Sequence, residues 1–298
     1  MRTLCLGEAL VDLICEEPVA GLAEAPAFVP HFGGATANVA VHAARLGAHV
    51  ALGCGVGEDP WGAWLRERLG AEGVELDFFA LVAGLRTPVA LVAVDGTGEP
   101  MFGIFGDDLG GLVRGLGKRG IDRAVSASDG LFFSSNTLVG EEERHLTMRA
   151  REKALGADKA VLFDANLRLE RWRTAAEAAS YANECVPGAF LVRANRAEAE
   201  VLTREPDPER AATALVKAGA RLVVITLGAE GAILRGELRA DAPGVRANVR
   251  STVGAGDALM GTLLGRATLT GFYPASLAAA LGEAVAASAR ATERWGAL

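Results

Sequence analysis

The run Ser251-Thr252-Val253-Gly254-Ala255-Gly256-Asp257 sets three small residues and then a carboxylate at the head of an apolar stretch, 258–267, with the composition of a helix. Gly254, Ala255 and Gly256 let bare backbone N–H groups approach an anion, and a helix starting there adds the positive end of its dipole. An acid beside an anion site repels the anion, so the useful task for Asp257 is to take a proton from the group that attacks a phosphoryl centre. The plain structural alternative is a Gly-rich turn followed by an acid in the favourable first helical turn.

Two further groups carry chemistry. Gly7-Glu8-Ala9-Leu10-Val11-Asp12 ends an N-terminal strand in an acid, where open α/β sheets bind small molecules, and Asp12 reads equally as an acceptor for neighbouring hydroxyls or as a solvated strand-end acid. Phe32-Gly33-Gly34-Ala35-Thr36-Ala37-Asn38 leads into an apolar helix; its glycines permit close approach, and Asn38 offers both a donor and an acceptor to a polyol. Other nucleotide and catalytic motifs fail. Around Gly117-Lys118, a phosphate-binding loop of the G-x-x-x-x-G-K-[ST] type meets Leu112 in place of Gly and Arg119 in place of Ser or Thr. Gly53-Cys54-Gly55-Val56-Gly57 lacks the third glycine of a dinucleotide fingerprint, no G-x-S-x-G elbow occurs, and the four histidines have no triad or metal spacing.

The elements that must position these residues alternate in type. Short β-rich apolar runs predict strands at 3–7, 50–53, 130–133, 160–163, 189–192 and 222–226, and Ala-rich stretches predict helices at 35–46, 62–69, 141–155, 174–185, 197–202 and 208–218. That alternation is the sequence form of βαβ units, hence an α/β fold with a mostly parallel central sheet covered by helices. Asp59-Pro60 and Asp207-Pro208 read as helix starts. Segments of about 13–32 and 87–105, the second folding about Asp95-Gly96-Thr97-Gly98, break the rhythm and predict a small β-sheet lid over one end of a single domain spanning 1–298. Phe102 and Phe105 are candidates to cover a ligand there, against the alternative of plain core.

Composition bounds the partners. The chain has 298 residues, 50% of them apolar, enough for a substantial core. A formal net charge of −7 argues against a broad nucleic-acid surface and against anionic lipid, so a phosphate must be held locally by amides, a few arginines or Mg²⁺. Cys5, Cys15, Cys54 and Cys185 show no metal or disulfide spacing, and Glu8 and Asp12 interrupt the N-terminal apolar run, which together favour a cytoplasmic setting. The stretch 25–44 lacks charged residues other than histidine, but Pro26, Pro30, Gly33, Gly34 and Asn38 argue against a membrane span.

Taken in order, the motifs resemble the ribokinase-type, or PfkB, carbohydrate kinases. They are Gly33-Gly34-x-x-x-Asn38, Gly55-x-Gly57-x-Asp59-x-x-Gly62, Asp164-Ala165-Asn166-Leu167-Arg168 with Trp172, Asn195-Arg196-Ala197-Glu198, Thr226-Leu227-Gly228-Ala229-Glu230-Gly231 and Gly254-Ala255-Gly256-Asp257. The resemblance implies a ribokinase-like core with a β lid and transfer of the γ-phosphoryl group of ATP to a sugar hydroxyl. It also implies Asp257 as base, the amides of Gly254, Ala255 and Gly256 as anion hole, and Asp12, Gly34, Asn38 and Arg168 as sugar contacts. It further implies Asn195, Thr226, Gly228 and Gly231 around the nucleotide, and Glu198 acting on Mg²⁺ through water. From the residues alone, Asn195 with Glu198 reads equally as a helix cap, and Arg168 as a partner of Asp164.

Ser251 stands where many members have an Asp linked to a monovalent-cation site, which weighs against potassium activation. The stretch 274–290 offers Glu283 and no Asn near an adenine, which suggests loose nucleotide selectivity. Resemblance favours fructose as substrate, with 2-keto-3-deoxygluconate and ribose open, then a nucleoside, then a binding protein without catalysis. A homodimer joined through the lids is the expected assembly.

Overall fold

The computed structural model describes residues 1–105 and 111–298. In chain order the elements are β1 (Arg2–Leu6), β2 (Leu10–Pro18), β3 (Val29–Gly33), α1 (Ala35–Arg45), β4 (His49–Gly57), α2 (Pro60–Ala71), β5 (Phe79–Val82), β6 (Val89–Val94) and β7 (Pro100–Phe105). They continue with α3 (Gly111–Ser126), β8 (Gly130–Ser134), α4 (Glu141–Gly156), β9 (Ala160–Asp164), α5 (Ala175–Asn183), β10 (Leu191–Asn195), α6 (Arg196–Thr203) and α7 (Pro208–Lys217). The last are β11 (Leu222–Thr226), β12 (Gly231–Gly236), β13 (Ala240–Pro243), α8 (Ala255–Leu269) and α9 (Pro274–Thr292).

Among the described residues, nine strands form the main sheet in the order β13-β12-β11-β10-β9-β8-β1-β4-β5. The pairs from β11 through β5 are parallel, and β12 and β13 join antiparallel at one edge. Side-chain alternation builds a core on each face. Leu4, Leu6, Val161, Phe163, Val223 and Ile225 pack on one side, while Cys5, Leu162, Leu222 and Val224 pack on the other with α8 and α9. A parallel sheet buried on both faces accounts for the unbroken apolar runs read as strands. All four cysteines are buried and unpaired.

Local chemistry fixes the ends of several elements. Asp59 accepts a hydrogen bond from Gly62 N at 2.8 Å at the head of α2, and Asp207 accepts one from Arg210 N at 2.9 Å at the head of α7. Both helices carry Pro in the first turn, as their sequences predict. β10 begins two residues later than expected and runs on to Asn195. α3, β5, β12 and β13 lay outside the sequence reading; α3 is interrupted at Gly117, where φ is +55°.

A second, four-stranded sheet has the order β3-β2-β6-β7, with β2 and β6 parallel and both outer pairs antiparallel. β1 lies between β4 and β8, so chain direction across the main sheet reverses there. The crevice beyond the carboxyl ends of such strands is where open α/β sheets bind ligands.

Candidate active site

A cavity of about 360 Å³ opens at that crevice. Its floor comes from residues that follow strand ends: Glu8 after β1, Asn136 after β8, Asn166 and Arg168 after β9, and Asn195 closing β10. The second sheet supplies Ala90, Pro100, Phe102, Ile104 and Asp12, which stands within β2 rather than at the end of β1 as its sequence predicts, and part of the remaining wall is Thr252, Val253, Gly254, Gly256 and Asp257.

Gly254 adopts a left-handed conformation, φ +77°, immediately before α8, and Asp257 falls in the first turn of that helix. The first N–H groups of a helix have no intrahelical partner, so the positive dipole end of α8 lies beside the cavity with Gly254 and Gly256 in its lining, while Ala255 N donates to Thr252 O at 3.3 Å. Asn38, in the first turns of α1, donates from Nδ2 to Asp257 Oδ2 at 2.9 Å. The approach of α1 depends on Gly34, whose φ is +93° and where any Cβ would stand 2.6 Å from Glu8 O. Gly33 lies as close to Asp12, whose carboxyl carbon would be 2.6 Å from a Cβ there.

The acids do not titrate alike. Burial pushes Asp12 up to about 8, helped by the charge of Asp257 and opposed by Arg168. Burial also raises Asp257, to about 6; the Asn38 hydrogen bond, Arg168 and Arg193 hold it down while Asp164 adds to the rise. Two carboxyls poised differently in one cavity are an arrangement in which one can be ionised and the other protonated near neutral pH.

Nine of the expected residues line this one cavity: Asp12, Gly34, Asn38, Arg168, Asn195, Glu198, Gly254, Gly256 and Asp257. Ala255 bridges the two glycines without lining it. Thr226, Gly228 and Gly231 do not line it. The Thr226 hydroxyl accepts from Arg193 Nη2 at 3.0 Å, and a Cβ on Gly228 would meet nothing within 4 Å. Gly231 is required by packing, because a Cβ there would lie 2.0 Å from Ala242 O of β13.

Asn195 and Glu198 form a reciprocal cap on α6: Asn195 Oδ1 accepts from Glu198 N at 2.8 Å and Glu198 Oε2 accepts from Asn195 N at 2.7 Å. Glu198 Oε1 also accepts from Leu167 N at 3.0 Å, which ties α6 to the loop after β9. Replacing Glu198 by Ala strands the buried N–H of Leu167 and the half-buried N–H of Asn195, so we expect a loss of about 1–3 kcal/mol in urea unfolding, seen as a lower midpoint. An unchanged midpoint would remove this structural role.

The sequence alternative that paired Arg168 with Asp164 is replaced by a different pair. Arg193 Nη1 donates to Asp164 Oδ1 at 3.1 Å, deep in the site, and Glu198 stands 3.9 Å from the same nitrogen. Arg168 is exposed and lies over the Phe102 ring, 5.8 Å from its centroid. Phe102 lines the cavity and is exposed, and Phe105 is exposed, so neither is core.

Sequence reasoning passed over Arg193, and a signal was present: a cation inside the buried strand run Leu191-Val192-Arg193-Ala194-Asn195 requires a partner. Glu8 and Asn136 were also missed as a pair; Asn136 Nδ2 donates to Glu8 Oε1 at 3.1 Å, and Arg171 Nη1 donates to Asn136 Oδ1 at 3.1 Å.

Among the described residues no three His, Cys, Asp or Glu side chains are grouped to hold a metal ion. Glu198, with both oxygens already accepting from amides, suits an ion that keeps its own waters, as Mg²⁺ does. Among the described residues no helix is long and apolar enough to cross a membrane.

Known proteins share both the sequence and this architecture. Fructokinase-1 of Oryza sativa subsp. japonica is 31% identical over 262 residues, covering 87% of this chain and 81% of its own. The crystal structure of a fructokinase double mutant from Vibrio cholerae O395, bound to fructose, ADP and potassium, superposes with a TM-score of 0.86 at 28% identity, covering 99% of this chain and 93% of that one. Aminoimidazole riboside kinase from Salmonella enterica, complexed with aminoimidazole riboside and an ATP analogue, gives 0.83 at 27% identity, covering 100% and 95%. A family model described as pfkB family carbohydrate kinase matches residues 2–297, and the chain belongs to that family of sugar kinases.

Proposed function

We propose that this sugar kinase transfers the γ-phosphoryl group of ATP to a hydroxyl of fructose, with Asp257 as general base and the amides of Gly254, Ala255 and Gly256 as anion hole. One observation carries the reading. Asp257 sits one residue beyond that turn, hydrogen-bonded to Asn38 at 2.9 Å, in the cavity that also holds Asp12. Asp12 and Asn38 face the polyol, and Asp257 removes the proton of the attacking hydroxyl as its oxygen closes on phosphorus. Helix-end amides and Arg193 stabilise negative charge on the transferring group.

The nucleotide lies towards Asn195 and the loop of Thr226, Gly228 and Gly231. Glu198 would hold Mg²⁺ through water, and the ion would supply charge neutralisation for the transferring phosphoryl group. Pro100, Phe102 and Ile104 make the second sheet a lid, and lid closure keeps water from competing with the sugar. Arg168 and Arg171 in the cavity wall support a second reading, a carboxylated sugar such as 2-keto-3-deoxygluconate.

The test is ADP release from Mg·ATP by the purified chain, supplied in turn with fructose, 2-keto-3-deoxygluconate, ribose, adenosine and no sugar. A response to fructose well above the blank is expected. A stronger response to the sugar acid overturns the preferred substrate, and silence throughout overturns the kinase reaction for these acceptors.

A further inference from the structure

The loop that carries the anion hole hangs between two supports. On one side Arg250 N and Ser251 N both donate to Thr292 O, at 2.7 and 3.2 Å, at the end of α9. On the other, Thr252 donates twice to a single acceptor: its N to Gly98 O at 3.0 Å and its hydroxyl to the same oxygen at 3.3 Å. Gly98 belongs to the β6–β7 turn of the second sheet, more than 150 residues away in sequence.

That turn is braced by its own hydrogen bonds. Asp95 Oδ1 accepts from Thr97 N at 2.8 Å, from the Thr97 hydroxyl at 2.6 Å and from Glu99 N at 3.1 Å, while Gly98 N donates to Asp95 O at 3.1 Å. Gly98 is left-handed, φ +91°, and a Cβ on it would stand 3.0 Å from Val249, so its carbonyl direction depends on glycine. An apolar cluster runs beside the hydrogen bonds, joining Leu10, Ile14, Ala90 and Val92 of the second sheet to Val253 and Ala297. Glu99, Pro100, Phe102 and Ile104 on the sheet side, and Thr252, Val253 and Gly254 on the loop side, line one cavity.

We propose that Thr252 is a positioning residue that fixes the anion-hole turn to Gly98 of the second sheet, so that the amides are aligned only when that sheet is seated over the substrate. The kinetic part rests on the function proposed above. The hydroxyl and amide of Thr252 stand two residues before Gly254, too close along the chain for the turn to shift without them. A sheet displaced from the cavity therefore takes the anion hole out of register, and a seated sheet restores it. In this arrangement sugar binding and phosphoryl transfer share one mechanical part, and water entering an uncovered site meets a misaligned anion hole.

The test is a double-mutant cycle with Thr252→Val, which deletes the hydroxyl, and Gly98→Ala, which turns the acceptor carbonyl. Thr252→Ser retains the donor and is the control. Thr252→Val is expected to lower kcat by roughly 5–10-fold, the worth of one hydrogen bond, and Gly98→Ala by at least as much because both bonds to its carbonyl are disturbed, with fructose and ADP dissociation constants little changed. The double variant should fall no further than Gly98→Ala alone, because the hydroxyl that Thr252→Val deletes has already lost its acceptor there. Thr252→Ser should keep the parent rate.

Amide hydrogen exchange on the free proteins gives a second readout, independent of turnover. Exchange at 253–256 should quicken in Thr252→Val and in Gly98→Ala, and no further in the double variant. Multiplying effects in the double variant, or unchanged exchange at these amides, overturns the proposal. A parent protein that releases no ADP with any sugar sinks the kinase reading instead, and the exchange arm then decides this one. If Gly98→Ala does not fold, Thr252→Val against Thr252→Ser in the same exchange experiment decides it.

Discussion

Asp257→Asn is expected to bind ADP and fructose with near-parental affinity and to turn over ~10²–10⁴-fold more slowly, the range in which a general base contributes. Asn keeps the size of the side chain and can still accept from Asn38 Nδ2, so the 2.9 Å contact that positions it survives. The ability to take a proton does not. Isothermal titration with each ligand, followed by steady-state ADP release, separates the two properties. A variant within a few-fold of the parent rate would remove Asp257 from the chemistry.

The same carboxyl sets a pH dependence whose sign follows from its shift. Asp257 is raised to about 6, so kcat/KM for the parent should fall about tenfold per unit below that value as the base becomes protonated. Stability runs the opposite way. A raised native pKa means that the fold favours the protonated form; the stabilisation is full below the unfolded value near 3.8 and is lost as pH rises through about 6. Asp257→Asn should therefore melt higher than the parent at pH 8, with the advantage vanishing towards pH 4. Asp12 is held near 8 partly by the charge of Asp257, so carboxyl-carbon NMR should find it titrating lower in the Asn variant.

What the sequence revealed and concealed follows from how far each signal reaches along the chain. The turn at Gly254, the caps at Asp59 and Asp207 and the apolar strand runs are local, decided by neighbouring residues, and they stand where propensity puts them. Asn38 and Asp257 were recognisable separately. Their hydrogen bond across 219 positions was not, because a contact between α1 and α8 depends on the packing of the whole sheet.

Arg193 shows the same limit. Its charge in a buried strand signals that a partner exists, while the choice of Asp164 over any other acid is made by strand order, since β9 and β10 are neighbours. Gly231 shows how one residue type serves two needs. A glycine spaced to cradle phosphate and a glycine needed where β12 meets β13 are identical in sequence, and the 2.0 Å approach to Ala242 O shows that the second need holds here whether or not the first does.

Gly254→Ala tests the anion hole without touching any acid. At φ +77° an L-residue in the left-handed region is disfavoured by roughly 1–2 kcal/mol. The added Cβ would also stand 2.4 Å from Cα and Cβ of Ala297. That neighbour cannot yield easily: it is 1% exposed, and His42 Nε2 holds its carbonyl at 2.9 Å. The turn must therefore move, and with it the amides that face the cavity. Displacing one such donor is worth ~10²–10³-fold in kcat. Fructose affinity should be little affected, since Asp12 and Asn38 belong to other elements. Gly282→Ala supplies the control, because that glycine lies within α9, where a Cβ meets nothing within 4 Å. It should turn over like the parent and be slightly more stable, as expected for Gly to Ala in a helix. Equal kcat values for the two alanine variants would mean that the amides at 254–256 do not face the transferring group. A loss confined to Gly254→Ala, with unchanged ligand binding, would identify this turn as the part of the chain that bears the developing charge.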